Sequence, residues 1–182
     1  VLAESLWGAG QGAHDLVYLT IGTGIGGGAL VNGQLLHGYA HPEMGHIYLP
    51  RHESDLDFPG VCPFHGACME GLASGPAIEA RWQQKAASLP PDHPAWSLEA
   101  YYLAQGLMNI CLTLAPQRII LGGGVMNQGF LFPMIRSELT RLLSGYVRLP
   151  EIEDMDRYVL PSSLAGIAGL YGGLALAHQA QL

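Results

Sequence analysis

Two cysteines and two histidines have the spacing of a metal site. His46 is followed by Cys62, His65 and Cys68, with fifteen, two and two residues in the gaps. A Cys-x2-His-x2-Cys turn can aim three side chains at one point, and the proline and glycine inside it favour such a turn. Zn²⁺ prefers four N and S ligands in a tetrahedron, so the pattern predicts one zinc ion bound by these four residues.

The zinc is expected to be structural. Four protein ligands leave no open coordination position, which argues against a hydrolytic metal, and they would close a long loop. His41 and His52 are the competing candidates for the fourth ligand. The alternative to a metal site is that these residues are unconnected surface histidines and buried free thiols. Cys111 lies in an apolar helical pattern and is expected in the core.

Gly22, Thr23 and Gly24 are the centre of a glycine-rich turn in the stretch LTIGTGIGGG. Backbone N–H groups in such a turn can approach phosphate oxygens because no Cβ atom intervenes, and Thr23 adds a hydroxyl donor. The stretch lacks the Gly-Lys-Ser/Thr of a Walker loop, and a hairpin follows it where a dinucleotide-binding turn would lead into a helix. A plain tight hairpin is the alternative to a phosphate site.

A second glycine turn, Gly122, Gly123 and Gly124, follows the apolar run IIL. A helix is expected after it, starting near Asn127 or Phe130, so that backbone N–H groups and a positive helix end would face an anion or a nucleotide. Each turn is a weak signal alone, and the two together favour a nucleotide site.

Two carboxylates lie close in sequence to the metal ligands. Glu43 lies three residues before His46, and Glu70 lies two residues after Cys68. Carboxylates accept hydrogen bonds from hydroxyl groups, so a pair of them beside an ordered histidine suits a polyhydroxylated ligand. The alternative for each glutamate is a solvated surface acid.

Apolar periodicity predicts the elements that would position these residues. Strand patterns cover residues 16–21 and 29–31, and Asn32-Gly33 is a hairpin signal that leads into a third strand at 34–36, all antiparallel. Residues 38–68 are predicted as a long ordered loop, and 146–160 as irregular. Helices are predicted at 3–10, at 69–87 with a bend at Gly75-Pro76, and from Ser97 as the N-cap to Leu114. Two more are predicted, one that starts near Asn127 or Phe130 and ends at Ser144 and one over 165–179. Further strands are predicted at 118–121 and 157–160.

The composition indicates a compact globular domain. Apolar residues make up 49% and charged residues 13% of the 182, which argues against disorder. The formal net charge of −7, without a basic run, argues against nucleic-acid binding. No apolar stretch is long enough to span a membrane, no signal peptide is recognisable, and three cysteines fit a reducing cytoplasm.

Five stretches together resemble the ROK family of bacterial sugar kinases, regulators and related proteins. They are LTIGTGIGGGALVNGQLLHG, PEMGHI, CPFHGACMEGLASGPAI, IILGGGV and LAGIAGLYGGLALA. Within that family, Cys-Pro-x-His-x2-Cys resembles the fructokinases. The resemblance implies an α/β fold, the actin-like, ribonuclease-H-like ATPase fold, with residues 1–182 as the large C-terminal lobe that carries a zinc-stapled loop.

The resemblance also implies roles for individual residues. The first glycine turn, Gly22, Thr23 and Gly24, matches a phosphate-contacting turn, and the second matches the turn beside the adenosine and its phosphates. Glu43, His46 and Glu70 match sugar-contacting residues, and His46 matches a zinc ligand as well. The implied cofactors and partners are structural Zn²⁺, Mg²⁺ and ATP, a hexose (fructose above all), and a second copy of the chain in a homodimer.

The chain departs from the family's pattern at its start. The family's first phosphate loop and the Asp that acts as general base on the sugar hydroxyl are not in the sequence, and that Asp is expected upstream of Val1. The full protein is therefore expected to be a fructokinase, and this chain alone to be nearly inactive. The alternatives are the sugar-sensing half of a ROK repressor, a non-catalytic zinc-stapled sugar-binding module, and a kinase for another hexose such as glucose or mannose.

Overall fold

A computed structural model describes residues 1–179 of the chain. A five-stranded mixed sheet lies at its centre, in the order β3-β2-β1-β4-β5. The strands are β1 Leu16–Ile21, β2 Ile25–Val31, β3 Gln34–Leu35, β4 Arg118–Gly122 and β5 Val159–Pro161. β1, β2 and β3 pair antiparallel, whereas β4 and β5 run parallel to β1.

The first three strands confirm the predicted antiparallel arrangement. β1 has the predicted bounds, and Asn32 and Gly33 join β2 to β3 with φ angles of 52° and 74°. Positive φ at both central residues gives a type I′ turn, whose twist matches that of the strands. β2 begins at Ile25, earlier than predicted, because glycines that have low strand propensity pair with β1 through their backbone atoms.

The described residues contain eight α-helices. They are α1 Leu2–Trp7, α2 Met69–Ala73, α3 Gly75–Trp82, α4 Ala95–Leu114, α5 Leu131–Leu143, α6 Pro150–Glu153, α7 Met155–Tyr158 and α8 Ala168–Gln179. The predicted bend before Pro76 is confirmed, since α2 stops at Ala73 and the Ser74 hydroxyl caps α3 by accepting the N–H of Ala77 at 3.3 Å. Among these helices, none is long and apolar enough to cross a membrane.

The start of α4 differs from the prediction. We expected Ser97 as the N-cap, but the helix begins at Ala95 with Pro94 in the N-cap position. Pro94 already has a helical φ of −61°, and the ring of His93 accepts the N–H of Ala95 at 3.2 Å. The Ser97 prediction was therefore wrong, while the predicted end at Leu114 is confirmed.

Two stretches in the second half of the chain also differ. Residues 125–127 form a short 3₁₀ turn, and α5 starts only at Leu131, next to the later of its two predicted starts. Residues 146–160 were expected to be irregular apart from a strand at 157–160, but 150–153 and 155–158 form α6 and α7. β5 consequently begins at Val159 instead of Arg157, which belongs to α7.

The sheet separates two cores of unequal size. Val17, Leu19 and Ile21 of β1 face the larger core, which contains Trp96 and side chains from α2, α4 and α5. The opposite face carries Leu16 and is covered by α1 and α8 in a smaller cluster. Alternation along β1 therefore turns the side chains of its even-numbered residues towards α1 and α8.

A buried ion pair holds part of the long loop that precedes α2. The carboxylate of Asp55 accepts hydrogen bonds from Arg81 Nε at 2.8 Å and from the hydroxyl of Tyr102 at 2.6 Å. Arg51 donates to the carbonyl groups of residues 55 and 58, and the guanidinium group of Arg81 lies 4.0 Å from the ring centroid of Phe58. Residues 51–58 are thus fastened to α3 and α4 by protein contacts.

Candidate functional site

The four predicted metal ligands meet at one point. Their ligand atoms all lie within 4.8 Å of one another. His46 ends a short 3₁₀ turn, and Cys68 occupies the N-cap position of α2. Cys62 and His65 lie in a tight turn that a bridge between Cys62 and Gly66 closes, with φ of 58° at Gly66. The local turn thus brings three candidate ligands together, and the His46 segment supplies the fourth.

The separations of the ligand atoms fit a tetrahedral zinc ion. Zn–N bonds of about 2.0–2.1 Å and Zn–S bonds of about 2.3 Å imply N–N separations of about 3.4 Å and S–N separations of about 3.6 Å. The Nδ1 atoms of His46 and His65 are 3.3 Å apart. Three of the four S–N separations are 3.7 Å and 3.6 Å from His46 Nδ1 to Cys62 and Cys68, and 3.8 Å from His65 Nδ1 to Cys62. The cluster could therefore hold zinc, with both histidines bound through Nδ1.

The two thiols of the cluster differ in acidity. Hydrogen bonds from the backbone N–H groups of His65 and Phe64 lower the pKa of Cys62, whereas burial raises the pKa of Cys68. Zinc binds thiolates, so the metal would hold both sulfurs in the ionised form.

The competing residues lie elsewhere. The ring of His41 packs on that of His37 with centroids 4.6 Å apart, and His52 Nδ1 lies 2.7 Å from the hydroxyl of Ser54. Cys111 is buried in the larger core, as predicted, and burial raises its pKa to about 11.

The first glycine turn joins β1 to β2 and lies against the second. The N–H of Gly22 donates to the carbonyl of Gly24 at 2.9 Å, and the N–H of Gly75 at the start of α3 donates to the carbonyl of Gly22 at 2.8 Å. A Cβ atom at Gly22 would lie 3.7 Å from the backbone nitrogen of Gly124. Thr23 is exposed at the tip. The fold thus brings the two predicted phosphate-contacting turns side by side.

The second glycine turn borders a cavity of about 450 Å³. Gly123 has a φ of 94°, and a Cβ atom there would lie 2.3 Å from the carbonyl oxygen of Ile21, so no larger residue fits. α5 begins seven residues after Gly124, one residue past the later predicted start at Phe130, and the 3₁₀ turn of residues 125–127 lies between the glycines and the helix. The residues that line the cavity include Tyr18, Thr20, Gly122, Gly123, Gly124, Met126, Asn127 and Ser162.

Both predicted sugar-contacting carboxylates lie on segments that touch Ile25. Glu43 is exposed and precedes Gly45, where a Cβ atom would lie 1.8 Å from the carbonyl oxygen of Ile25. Glu70 lies in the first turn of α2, and its Oε2 accepts the N–H of Ile25 at 2.9 Å. Ile25 directly follows the first glycine turn, so the fold joins the segments of the candidate sugar ligands to the candidate phosphate turn. His46 directs Nδ1 into the metal cluster, so a zinc ion bound there would leave Nε2 as the protonated, donating ring nitrogen.

Three residues near the cavity were not anticipated from the sequence. Tyr18 shares a face of β1 with Thr20, which strand alternation alone could have indicated. Glu4 is fully buried, and its carboxylate binds residues 162–164 after β5. No local pattern marks Glu4 or Ser162, because their partners are far away in sequence.

A model of the ROK family matches residues 1–180. This chain belongs to the ROK family. That assignment agrees with the order of the metal-ligand motif and the two glycine turns along the chain.

Several relatives of this ROK chain are fructokinases. Those of Pediococcus pentosaceus and Zymomonas mobilis subsp. mobilis (strain ATCC 31821 / ZM4 / CP4) are each 41% identical, over 177 and 182 residues, which are 97% and 99% of this chain and 60% of each relative. A Bacillus subtilis (strain 168) protein, whose assignment as a fructokinase is provisional, is 51% identical over 180 residues, 98% of this chain and 60% of its own length. The chain thus spans about 60% of the length of these relatives.

Solved ROK structures share the fold. The ROK family glucokinase from Streptomyces griseus, in complex with glucose and AMPPNP, matches with a TM-score of 0.76 at 26% identity. The match covers 98% of this chain and 65% of the glucokinase chain. The ROK hexokinase from Thermus thermophilus has a TM-score of 0.72 at 28% identity and covers 94% of this chain and 59% of its own. The predicted α/β fold of the actin-like ATPases is therefore confirmed.

Proposed function

We propose that the protein containing this chain is an ATP-dependent fructokinase that converts D-fructose and ATP to fructose 6-phosphate and ADP. The observation that carries the proposal is the 41–51% identity with fructokinases and a provisional fructokinase along nearly the whole chain. The adjacency of two glycine turns and two carboxylate-bearing segments supports it, because a sugar kinase must hold a nucleotide and a polyol side by side.

Each candidate residue has a role in this proposal. The first glycine turn, Gly22, Thr23 and Gly24, contacts the phosphates of ATP, and the second, Gly122, Gly123 and Gly124, lies beside the adenosine. Glu43, Glu70 and Nε2 of His46 bind sugar hydroxyl groups. Residues 1–182 form the C-terminal lobe.

The chemical step needs groups beyond this chain. The sugar oxygen attacks the γ-phosphorus of Mg²⁺-bound ATP, the bond to the β-phosphate oxygen breaks, and ADP leaves with its electron pair. The hydroxyl proton passes to an Asp expected on the segment before Val1. The 182-residue chain should therefore bind substrates and turn over little.

The remaining features of the proposal are structural. Zn²⁺ bound by His46, Cys62, His65 and Cys68 closes the loop around the sugar site and takes no part in the chemical step. The protein acts in the cytoplasm as a homodimer formed through this lobe.

A coupled ADP-release assay on the full-length protein tests the proposal. Fructose, glucose and mannose are compared at equal concentrations, and kcat/KM for fructose should exceed the other two by at least about tenfold, a difference of about 1.4 kcal/mol. The same assay on residues 1–182 should show almost no turnover, whereas calorimetry should still detect fructose.

Two outcomes contradict the proposal. A higher kcat/KM for glucose or mannose would assign another hexose. Sugar binding without ADP release from the full-length protein would favour a sugar-sensing repressor half or a non-catalytic module.

A further inference from the structure

The segment that follows β5 forms one wall of the cavity beside the second glycine turn. Ser162 lines this cavity, and its N–H donates to the carbonyl of Leu121 at 2.9 Å. A Cβ atom at Gly122 would lie 3.2 Å from Cβ of Ser162 and 2.5 Å from the hydroxyl oxygen of Tyr18. The two hydroxyl-bearing residues therefore lie against the same glycine, on the face of the sheet that α1 and α8 cover.

A buried carboxylate from α1 holds this wall in place. Glu4 has 0% exposure, and its oxygens accept four hydrogen bonds. Oε1 accepts from the hydroxyl of Ser162 at 2.5 Å and from the N–H of Leu164 at 3.1 Å. Oε2 accepts from the N–H of Ala9 at 2.8 Å and from the hydroxyl of Ser163 at 3.1 Å. Three of the four bonds go to consecutive residues after β5, which fixes the backbone of that segment relative to α1.

The charge of Glu4 determines the direction of the hydrogen bond to Ser162. Burial alone would raise the pKa of Glu4, but the hydrogen bonds from Ser162, Ala9, Leu164 and Ser163 lower it below the usual value. An ionised carboxylate only accepts, so the hydroxyl proton of Ser162 is committed to Glu4. The hydroxyl of Tyr18 also interacts with Ser162, so one lone pair of the Ser162 oxygen remains for a further partner that donates.

We propose that Glu4 is a positioning residue that holds Ser162 as a hydrogen-bond acceptor for a hydroxyl or amino donor on the nucleoside part of the bound nucleotide. The inference rests on the proposed function, because it takes the cavity as the nucleotide site. An acceptor repels phosphate oxygens, which are acceptors themselves, so the Ser162 side of the cavity suits the nucleoside and the glycine turns suit the phosphates. The donor is a ribose hydroxyl or the adenine amino group.

Binding to the full-length protein, measured by calorimetry, distinguishes these donors. ATP is compared with 2′-deoxy-ATP, 3′-deoxy-ATP and purine riboside triphosphate, which lacks the amino group. In the wild type, one analogue should bind about three- to tenfold more weakly than ATP, as expected for one lost hydrogen bond. Ser162→Ala should bind ATP as weakly as that analogue, and Ser162→Thr, which keeps the hydroxyl, should restore the preference for ATP.

Two variants test the part of Glu4. Glu4→Gln keeps the size of the side chain but replaces an accepting oxygen with a donating NH2 group, and Gly8→Ala would place a Cβ atom 2.0 Å from Oε2 of Glu4. Both should reduce the preference for ATP over the discriminating analogue by about twofold or more and leave fructose affinity unchanged. Glu79→Gln, at an exposed glutamate on α3, is the matched control and should leave the preference intact.

The possible failures are distinguishable. Equal affinity of wild type for all four nucleotides, or an unchanged preference in Ser162→Ala, would overturn the Ser162 contact. If Glu4→Gln and Gly8→Ala lower the melting temperature but keep the wild-type preference for ATP, Glu4 has a structural role only and the positioning role is overturned. Binding is measured without turnover, so failure of the kinase proposal would appear separately, as the absence of ADP release.

Discussion

The Oε2 atom of Glu70 lies 2.9 Å from the backbone nitrogen of Ile25 and accepts its N–H. Glu70 stands two residues after the zinc-ligand candidate Cys68, and Ile25 stands one residue after the first glycine turn. A second bond, from the N–H of Gly75 to the carbonyl of Gly22 at 2.8 Å, joins the same two segments. The glycine turn is therefore held by the segment that carries the candidate metal ligands.

Replacing Glu70 should affect the nucleotide even when no sugar is present. Glu70→Ala removes the acceptor for Ile25, so ATP affinity measured by calorimetry without sugar should fall about two- to tenfold. Glu70→Gln keeps a carbonyl oxygen for the same N–H and should bind ATP nearly as the wild type does. If Glu70→Ala bound ATP normally and lost only fructose, the bond to Ile25 would have no influence on nucleotide binding by the first glycine turn.

Metal analysis should find one zinc ion per chain. Cys62→Ser and Cys68→Ser should lose the metal and unfold at lower temperature, because structural zinc supplies about 10–16 kcal/mol of apparent binding free energy at neutral pH. X-ray absorption should show two N and two S neighbours. Cys111→Ser is the matched control, since that thiol lies in the core, and full zinc occupancy is expected. Zinc loss in Cys111→Ser, or zinc retention in Cys68→Ser, would contradict the ligand assignment.

Asp55 and Arg81 should stabilise the long loop whether or not zinc is bound. The side chains are only 4% and 9% exposed, so Asp55→Asn leaves a buried guanidinium group without its ion pair and should cost about 3–5 kcal/mol in the free energy of unfolding. Urea denaturation measures the change. After chelation, residues 51–58 should resist proteolysis in the wild type better than in Asp55→Asn.

A surface ion pair provides the comparison for Asp55→Asn. Arg141 pairs with Glu138 at 2.6 Å, but its side chain is 63% exposed. Glu138→Gln should therefore cost at most about 1 kcal/mol. Equal losses in the free energy of unfolding for Asp55→Asn and Glu138→Gln would show that burial does not strengthen the effect of the Asp55–Arg81 ion pair.

Adjacent glycines in the second turn should respond differently to alanine. Gly123→Ala forces a φ of 94° on a residue with a side chain and places Cβ 2.3 Å from the carbonyl of Ile21, so a loss of stability of about 1–3 kcal/mol or more is expected. At Gly124 a Cβ atom meets nothing within 4 Å, so Gly124→Ala should change stability by at most about 0.5 kcal/mol. Nucleotide affinity should fall in both. Equal stability of the two variants in thermal unfolding would rule out the steric explanation.

Glu99 should make stability fall as the pH rises. Its Oε1 has no hydrogen-bond partner among the described residues, and burial raises its pKa well above the model-compound value of 4.5, with Arg81 offsetting part of the effect. In the unfolded chain Glu99 ionises above about pH 4.5, whereas in the folded protein it keeps its proton to higher pH. Its contribution to the free energy of unfolding is therefore complete below about pH 4.5 and is lost as the pH rises. Urea unfolding between pH 5 and 8 should show this loss in the wild type and a flatter profile in Glu99→Gln. An identical slope in both proteins would refute the assignment, and Glu79→Gln serves as the exposed control.

Local patterns in the sequence determined the parts of the fold that depend on near neighbours. The bounds of β1, the Asn32-Gly33 turn and the break before Pro76 follow from strand periodicity and turn chemistry within a few residues. The Cys-x2-His-x2-Cys spacing likewise identified three clustered ligands, because a single short turn brings them together. The start of α4 was predicted wrongly because Pro94 takes the N-cap position and the ring of His93 accepts the N–H of Ala95, so the helix begins two residues before Ser97.

Only the tertiary structure decided how the candidate sites are joined. Glu70 and Ile25 are 45 residues apart, and Glu4 and Ser162 are 158 residues apart, so no local pattern could pair them. The sequence marked Glu70 as a carboxylate near metal ligands, but the folded chain also commits one of its oxygens to the glycine turn. No sequence pattern indicated a role for Glu4, because a buried carboxylate needs hydrogen-bond donors and most of its donors are distant in sequence. Those donors come together when β5 and the segment after it pack beside α1.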